Sequence, residues 1–344
     1  MSLLMEEILA QPRILSNTLK VERAHAQEFE KYVRKQDFRL ILLVGRGTSD
    51  NAALFGRYLL EITTGIPVSL CAPSVQTLYR TRLNLRQALV IGISQSGEGK
   101  DINAVLKSSR RQGAFTMGIT NEAGSTMARL VDEVFLLHAG KPRTVAATKT
   151  YTAELLMLYM IASALGSRVT LAGISEIPQL VAETLKLRDE IRHLVVRYRY
   201  MRQCMVIARG LNYANACEMA MKLKETCRIL AAPVASADLL YGPIELIERD
   251  FPAFLLMPPG KPFPELKRLA EKLWRLNAET VAFSAEGVWL PKVTRALRMP
   301  GAIEEIYTPI PYIIPGQLFA ALLAEIKGLN PDEPRSLQII TRGI

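Results

Sequence analysis

The sequence predicts an α/β protein with two parallel sheets, each covered by helices on both faces. Three observations lead there. Short runs that are apolar on both faces alternate with helix-length segments along the chain, the pattern of a buried parallel sheet. The strand–turn–helix LLVGRGTSDNAALFGRYLLE (42–61) is echoed by MVIARGLNYANACEMAMKLKE (205–225), with the spacing from Gly47 to Glu61 one residue shorter than from Gly210 to Glu225. That echo indicates a duplicated unit. Finally, apolar runs stop abruptly in polar, glycine-bearing stretches such as SQSG (94–97), at the strand ends where open parallel sheets bind ligands.

Taken in order, residues 1–30 read as a helical arm. Its opening, MSLLMEEILAQP, has acidic residues inside its apolar stretch and no basic start, so no signal peptide is expected. Residues 31–170 form a first domain: strand 39–44, helix 50–63, strand 88–93, helix 100–112, strands 116–119 and 133–137, and helix 149–166. Residues 171–200 read as a charged linking helix. A second domain over 201–330 has strands 204–208, 253–257 and 280–283 and helices 213–229 and 263–276. Residues 331–344, with two prolines, read as an extended tail.

Composition narrows the function. The 344 residues are 49% hydrophobic, enough for two cores and against wholesale disorder. The longest apolar candidate for a span, AELLMLYMIASALG (153–166), falls short of the roughly 20 residues a bilayer needs, so no membrane partner is expected. Cys71, Cys204, Cys217 and Cys227 form no CxxC pair and read as reduced core thiols of a cytoplasmic protein. A net charge of +10 fits nucleic acid, an anionic membrane or a small anionic substrate. The richest basic stretch, KLRDEIRHLVVRYRYMR (186–202), interleaves acids and apolar residues, as a solvated helix face does. No helix-turn-helix or RNA-binding signature is present, so nucleic acid is not expected.

The chemistry concentrates at the strand ends. Free N–H groups at a helix start, joined by Ser94, Gln95 and Ser96, make a cradle for a phosphate, and Gly97 lets the backbone come close. The alternative is that Ser94 and Ser96 simply cap the helix from 100. Downstream, Lys222-Leu-Lys-Glu225 is either an ordinary charged helix end or a carboxylate with a lysine one turn before it, suited to moving a proton.

ISQSGEGKDINAVL (93–106) with GRGTSDNAA (45–53) resembles the sugar isomerase (SIS) family of phosphosugar-binding domains. VAATKTYTAELL (145–156), ARGLNYANACEMAMKLKET (208–226), YGPIELI (241–247) and NPDEPRSL (330–337) extend the resemblance over nearly the whole chain. Tandem domains in this order resemble the isomerase half of glucosamine-6-phosphate synthase and stand-alone glucosamine-6-phosphate deaminases and phosphosugar isomerases. The resemblance implies two three-layer αβα domains. It implies that Ser94, Gln95, Ser96 and the Gly99 position hold a sugar phosphate, with Thr48 and Ser49 lining the same pocket. Val145 and Ala147 would touch the sugar, Glu225 would shuttle a proton between C1 and C2, and Lys222 would hold a hydroxyl or tune Glu225. No cofactor and no metal is implied. Met1 leads directly into the arm, so the glutamine-hydrolysing half is not expected.

Three positions depart from the family pattern. Gly99 stands where a Thr or Ser is usual, Tyr241 where a ring-opening His precedes Gly-Pro, and Ile339 where the tail has a Lys. The expectation is therefore twofold: a phosphosugar isomerase, deaminase or deglycase acting through Glu225 with Tyr241 in the ring-opening place, or a non-catalytic phosphosugar-binding regulator. A homodimer is expected, with the Tyr241 loop serving a neighbouring subunit's pocket. The apolar stretches 145–160 and 305–323 are plentiful enough to suggest an interface, unless core packing absorbs them. His25, His138 and His193 fall at none of the family's sites.

Overall fold

The computed structural model describes residues 1–285, 287, 290, 292–301, 303–333 and 335. They form two compact units. The first comprises Arg13–Pro142 and Lys149–Glu176; the second comprises Met1–Pro12, Arg143–Thr148 and the chain from Ile177.

The first unit holds β1 (Leu40–Val44), β2 (Val68–Leu70), β3 (Ala88–Ile93), β4 (Phe115–Thr120) and β5 (Glu133–Leu136). Every neighbouring pair is parallel, in the order β2-β1-β3-β4-β5. The second unit holds β6 (Gln203–Ala208), β7 (Leu230–Ala235), β8 (Pro252–Met257), β9 (Glu279–Ala285) and β10 (Arg295–Met299). Its parallel order, β7-β6-β8-β9-β10, is the same topology repeated. In each sheet the order reverses beside the first strand. That places a topological switch, and its crevice, at the carboxyl ends of β1 and β3 and of β6 and β8.

The strands are apolar because both their faces are covered. β3 is buried at every position. Leu42, Val44 and Val90 pack against Ile102, Val105, Leu106 and Met127, and each such side chain contributes about 1.5–3 kcal/mol on burial. Gly92 pairs with Gly118 across β3 and β4. A methyl on Gly92 would lie 2.6 Å from Leu106 Cδ1, and one on Gly118 2.9 Å from Met127 Cγ. The paired glycines thus let the helices Lys100–Arg111 and Thr126–Leu130 lie close on the sheet, which fixes the loop between β3 and the first of them. In the second unit Met205, Ile207, Leu255 and Met257 meet Leu266, Leu269 and Leu273 in the same way.

The structure refines the sequence reading in the linking segment and in the apolar stretches. Residues 171–200 run as two α-helices, Leu171–Thr184 and Arg188–Val195, separated and followed by 3₁₀ turns. The apolar stretches 145–160 and 305–323 are taken up by core packing: the helices Lys149–Ala164 and Pro309–Ile326 are buried along nearly their whole lengths. The second of these also has the length and composition of a membrane span, but 89% of that span is buried inside the protein. All four cysteines are free thiols.

Candidate functional site

The site residues of the first unit gather at its switch. β3 ends at Ile93, and Ser94–Gly99 turn the chain into the helix Lys100–Arg111. The loop's carbonyls are bonded inward. Gln95 O accepts from Asn121 N at 3.0 Å and from Thr120 Oγ1 at 3.3 Å. Gly97 O accepts from Met127 N and Asn103 Nδ2, both at 3.0 Å. Glu98 turns away from the loop and accepts from Thr126 N at 2.9 Å and Thr126 Oγ1 at 2.7 Å. The two serine hydroxyls accept from loop amides: Ser94 Oγ from Gly97 N at 3.2 Å and Ser96 Oγ from Glu98 N at 3.3 Å. Their own protons are left to donate elsewhere.

Neither serine caps the following helix. Its N-cap is Gly99, which makes no side-chain bond, so the first-turn amides keep their donors. The capping alternative is thereby set aside, and two serine hydroxyls stand beside uncapped first-turn amides at a positive helix end. Gly97 is required here: its φ is +64°, and a Cβ would stand 2.3 Å from Ser125 Oγ. Lys100 is exposed at the helix start, and Arg46 of the neighbouring turn pairs with Asp101 at 2.6 Å.

Thr48 and Ser49 open the helix Thr48–Thr64 at the end of β1. Ser49 is buried and donates to Glu154 Oε1 at 2.8 Å; Glu154, in the helix Lys149–Ala164, is itself 1% exposed. With its proton so committed, Ser49 can only accept from a ligand. Sequence reading passed over Glu154, although a single acid inside AELLMLYM was the signal. Glu98 and Asn103, which lock the cradle, were passed over too.

The second unit carries the remaining candidates. Val145 and Ala147 lie half-buried in the segment 143–148. The helix Leu3–Leu9 holds that segment: Glu7 accepts from Arg143 N at 2.8 Å and from Thr144 Oγ1 at 3.0 Å. Lys222 and Glu225 lie on the helix Tyr213–Cys227. Lys222 Nζ is 2.6 Å from Glu225 Oε2 and 3.3 Å from Glu218 Oε1. The side chains are 2% exposed for Lys222, 20% for Glu225 and 0% for Glu218. Burial alone would pull the Lys222 ammonium down; attraction to Glu218 and Glu225 and hydrogen bonds to both carry it above its ordinary value. Glu218 was not found from the sequence, yet an acid four residues before a lysine in the apolar run ACEMAMKL marks an i, i+4 pair.

Tyr241 follows the short helix Ser236–Leu239 and is 89% exposed, its N–H donating to Asp238 O at 3.0 Å. Ile339 lies outside the described residues. His25 and His138 sit in an ionic cluster with Glu22 and Glu133, and His193 is on the surface, hydrogen-bonded to Asp189 O.

Comparison with known proteins gives a consistent picture. The SIS domain model matches residues 36–164 and 199–323. Glutamine–fructose-6-phosphate aminotransferase (isomerizing) of Pyrococcus horikoshii is 35% identical over 342 residues, covering 97% of this chain and 56% of its own length. The Thermotoga maritima protein of the same name is 34% identical over 348 residues, covering 96% and 57%. The chain thus spans rather more than half the length of these relatives. Among solved structures, the C-terminal domain of glucosamine-fructose-6-phosphate aminotransferase from Francisella tularensis matches with a TM-score of 0.86 at 27% identity, over 96% of this chain and 98% of that one. Tagatose-6-phosphate ketose/aldose isomerase from Escherichia coli matches with a TM-score of 0.83 at 20% identity, over 97% and 95%, a likeness of fold.

Proposed function

The chain belongs to the SIS domain family, and from that premise we propose that it is a phosphosugar isomerase acting on a hexose 6-phosphate by proton transfer between C1 and C2. One observation carries the reading: a buried, charged Lys222 holds the carboxylate of Glu225 at 2.6 Å while Glu225 itself stays partly open. A carboxylate so held can take the proton from the carbon beside the carbonyl and return it to the neighbouring carbon, converting aldose to ketose through an enediol. Ser94, Ser96 and the helix amides hold the phosphate. Ser49, an acceptor, meets a donor group of the sugar, with Thr48, Gln95, Val145 and Ala147 completing the contacts. The relatives' names concern fructose 6-phosphate and tagatose 6-phosphate chemistry, which supports a hexose 6-phosphate as substrate class. An amino-sugar phosphate, with loss of ammonia or exchange of the amine, is the close variant. The protein acts as a homodimer in which the exposed Tyr241 serves the partner's pocket.

The exposed Tyr241 also favours a second reading. A phenol donates but is a poor base near neutrality, so without a ring-opening histidine the chain would bind cyclic sugar phosphates without turning them over.

The test is a panel of hexose and amino-hexose 6-phosphates, followed by NMR for exchange of the C1 and C2 protons with solvent. Glu225→Gln should abolish exchange with every substrate. Ser96→Ala should weaken binding about 10- to 100-fold, the worth of a charged hydrogen bond, and leave the bound turnover largely intact. If Glu225→Gln exchanges protons as fast as the parent, the catalytic reading is wrong. If the parent binds the panel and exchanges none of it, the binding reading replaces it.

A further inference from the structure

The backbone ladder of the first sheet does not stop where its strands do. β3 and β4 pair as far as Ile93 and Ile119. Ser94 N then donates to Ile119 O, and Asn121 N to Gln95 O, both at 3.0 Å, which carries the ladder into the loop of the two serines. β4 and β5 pair as far as Thr120 and Leu136, and Leu137 N donates to Thr120 O at 2.9 Å. There the chain leaves strand geometry, with φ +48° at His138 and +64° at Gly140. The Asn121 side chain supplies the missing rungs. Its Oδ1 accepts from Ala139 N at 2.9 Å, and its Nδ2 donates to Gly140 O at 3.1 Å. A primary amide can do this because it carries a donor and an acceptor on one carbon, and these partners fix which end is which.

The segment that Asn121 grips is also held by the helix Gln11–Val33. Thr18 Oγ1 donates to Leu137 O at 2.6 Å, and His138 Nε2 lies 2.6 Å from Glu22 Oε1. Both helix residues are buried. We propose that Asn121 is a positioning residue for the Ser94–Gly99 loop, and that through it the helix Gln11–Val33 sets where the loop stands. The role rests on the reading of that loop as the phosphate site. Gln95 lies between Ser94 and Ser96, so a shift of its carbonyl moves both hydroxyls. That carbonyl has two donors, Asn121 N and Thr120 Oγ1 at 3.3 Å, and both belong to the end of β4. Without its side chain, Asn121 is anchored on the β3 side alone. The helix then still holds residues 137 and 138 and no longer holds the loop.

The first measurement is steady-state kinetics with glucose 6-phosphate beside calorimetric binding of inorganic phosphate. Asn121→Ala should raise KM for the sugar phosphate and Kd for phosphate together, by about tenfold, the worth of a hydrogen bond or two, with a much smaller change in kcat. Thr18→Val leaves the loop and Asn121 untouched and deletes only the bond to Leu137 O. It should raise both constants by about threefold, and Thr18→Ser, which keeps the hydroxyl, should restore them. The two effects should not add, since Thr18→Val acts on the loop only through Asn121. Additive effects, or a lowered Tm at parental KM and Kd, would reduce Asn121 to a brace of its own turn and overturn the proposal.

The second measurement needs neither ligand nor activity. The amide resonances of Gln95, Ser96 and Gly97 are followed by ¹H–¹⁵N correlation spectroscopy of the full chain. Thr18→Val should shift them in the parent and leave them still in an Asn121→Ala background. Amides that ignore Thr18→Val in the parent overturn the proposal. Amides that respond, in a protein that binds neither glucose 6-phosphate nor inorganic phosphate, would sink the phosphate reading of the loop and leave the role of Asn121 standing.

Discussion

The two units share a topology and differ at their switch points. After β3, the chain carries the Ser94 and Ser96 hydroxyls and an uncapped helix start at Gly99. After β8, the corresponding stretch is Pro258-Pro259-Gly260-Lys261-Pro262. Three of those five residues have no N–H to give. Gly260 takes the same kind of turn as Gly97, with φ +97°, but Glu305 Oε2 accepts from Lys261 N at 2.8 Å. In the second unit a carboxylate of the chain itself takes a loop amide. The scaffold beneath is common: Arg46 pairs with Asp101 at 2.6 Å, and Arg209 approaches Glu265 at 3.5 Å. The contrast reverses on the helix after the first strand. In the sequence echo, Glu61 answers to Glu225, but Glu61 accepts from Val68 N at 3.1 Å and lies 3.7 Å from the half-exposed Arg57. The two frames have one topology; the first carries serine hydroxyls at its switch, and the second carries the charged triad Glu218, Lys222 and Glu225 on the helix after its first strand.

The charged side of that comparison breaks most easily. Lys222→Met leaves Glu218 and Glu225 facing one another with no cation between them, which should cost about 3–5 kcal/mol. Arg57→Met, removing the cation nearest Glu61, should cost less than about 1 kcal/mol because that pair is exposed. Urea denaturation of the two variants checks this. Equal losses would mean that the triad is no more coupled than a surface pair.

The donor side is sharpened by its glycine. Gly97→Ala must place a methyl against Ser125 Oγ and Cβ in a left-handed conformation, displacing the hydroxyl that caps the helix Thr126–Leu130 through Ala128 N. Strain and the lost cap together should cost about 2–3 kcal/mol. Gly260→Ala meets Glu305 in a comparable way and should cost a similar amount. What separates them is ligand binding: thermal shift with glucose 6-phosphate should vanish in Gly97→Ala and persist in Gly260→Ala. A shift lost in both would contradict the division between the two loops.

Much of this frame was legible in the sequence, and the exceptions share a cause. The strands read from apolar runs, such as 88–93 and 253–257, are sheet interiors buried on both faces. The three missed strands, β2, β7 and β10, are edge strands. β2 has three residues, β7 carries Pro233, tolerated at an edge where one side of the ladder is unpaired, and β10 reads RALRM with two arginines. Edges need less apolar surface and therefore signal less. The Ser94–Gly99 loop stood out because SQSG clusters polar side chains at the end of an apolar run. Glu154, Glu218 and Glu98 were not, because each acts through a partner that is remote in the chain or hidden by helical spacing.

The smallest expected effect separates the units by pH. Each has a carboxylate at a strand start clamped by a base from a preceding helical segment. In the first unit His25 lies between Glu22 at 2.8 Å and Glu133 at 2.7 Å and stacks on Phe135. In the second, Arg197 grips Glu279 through two bonds of 2.6 and 2.8 Å, and Tyr198 Oη adds a third at 2.9 Å. Hydrogen bonds to Glu133 and Glu22 outweigh burial and raise His25 to about 10. A raised histidine stabilises fully below its unfolded value, near 6.5, and loses that contribution as pH climbs through its folded value. Arginine does not titrate in this range. At the acid end both clamps weaken together: burial pushes Glu22 and Glu279 up, but their basic partners hold each below the ordinary carboxylate value, so their contribution fades only as pH falls below about 4.5. Between pH 6.5 and 10 the first unit alone should weaken, by about 1–2 kcal/mol, since the His25 side chain is 32% exposed and solvent screens its pairs. Hydrogen exchange corrected for intrinsic rates resolves this. Protection of β5 should fall with rising pH while that of β9 holds, and His25→Gln should flatten the β5 trend. If β5 and β9 lose protection in step, or if His25→Gln keeps the slope, the imidazole clamp is not what distinguishes the two frames.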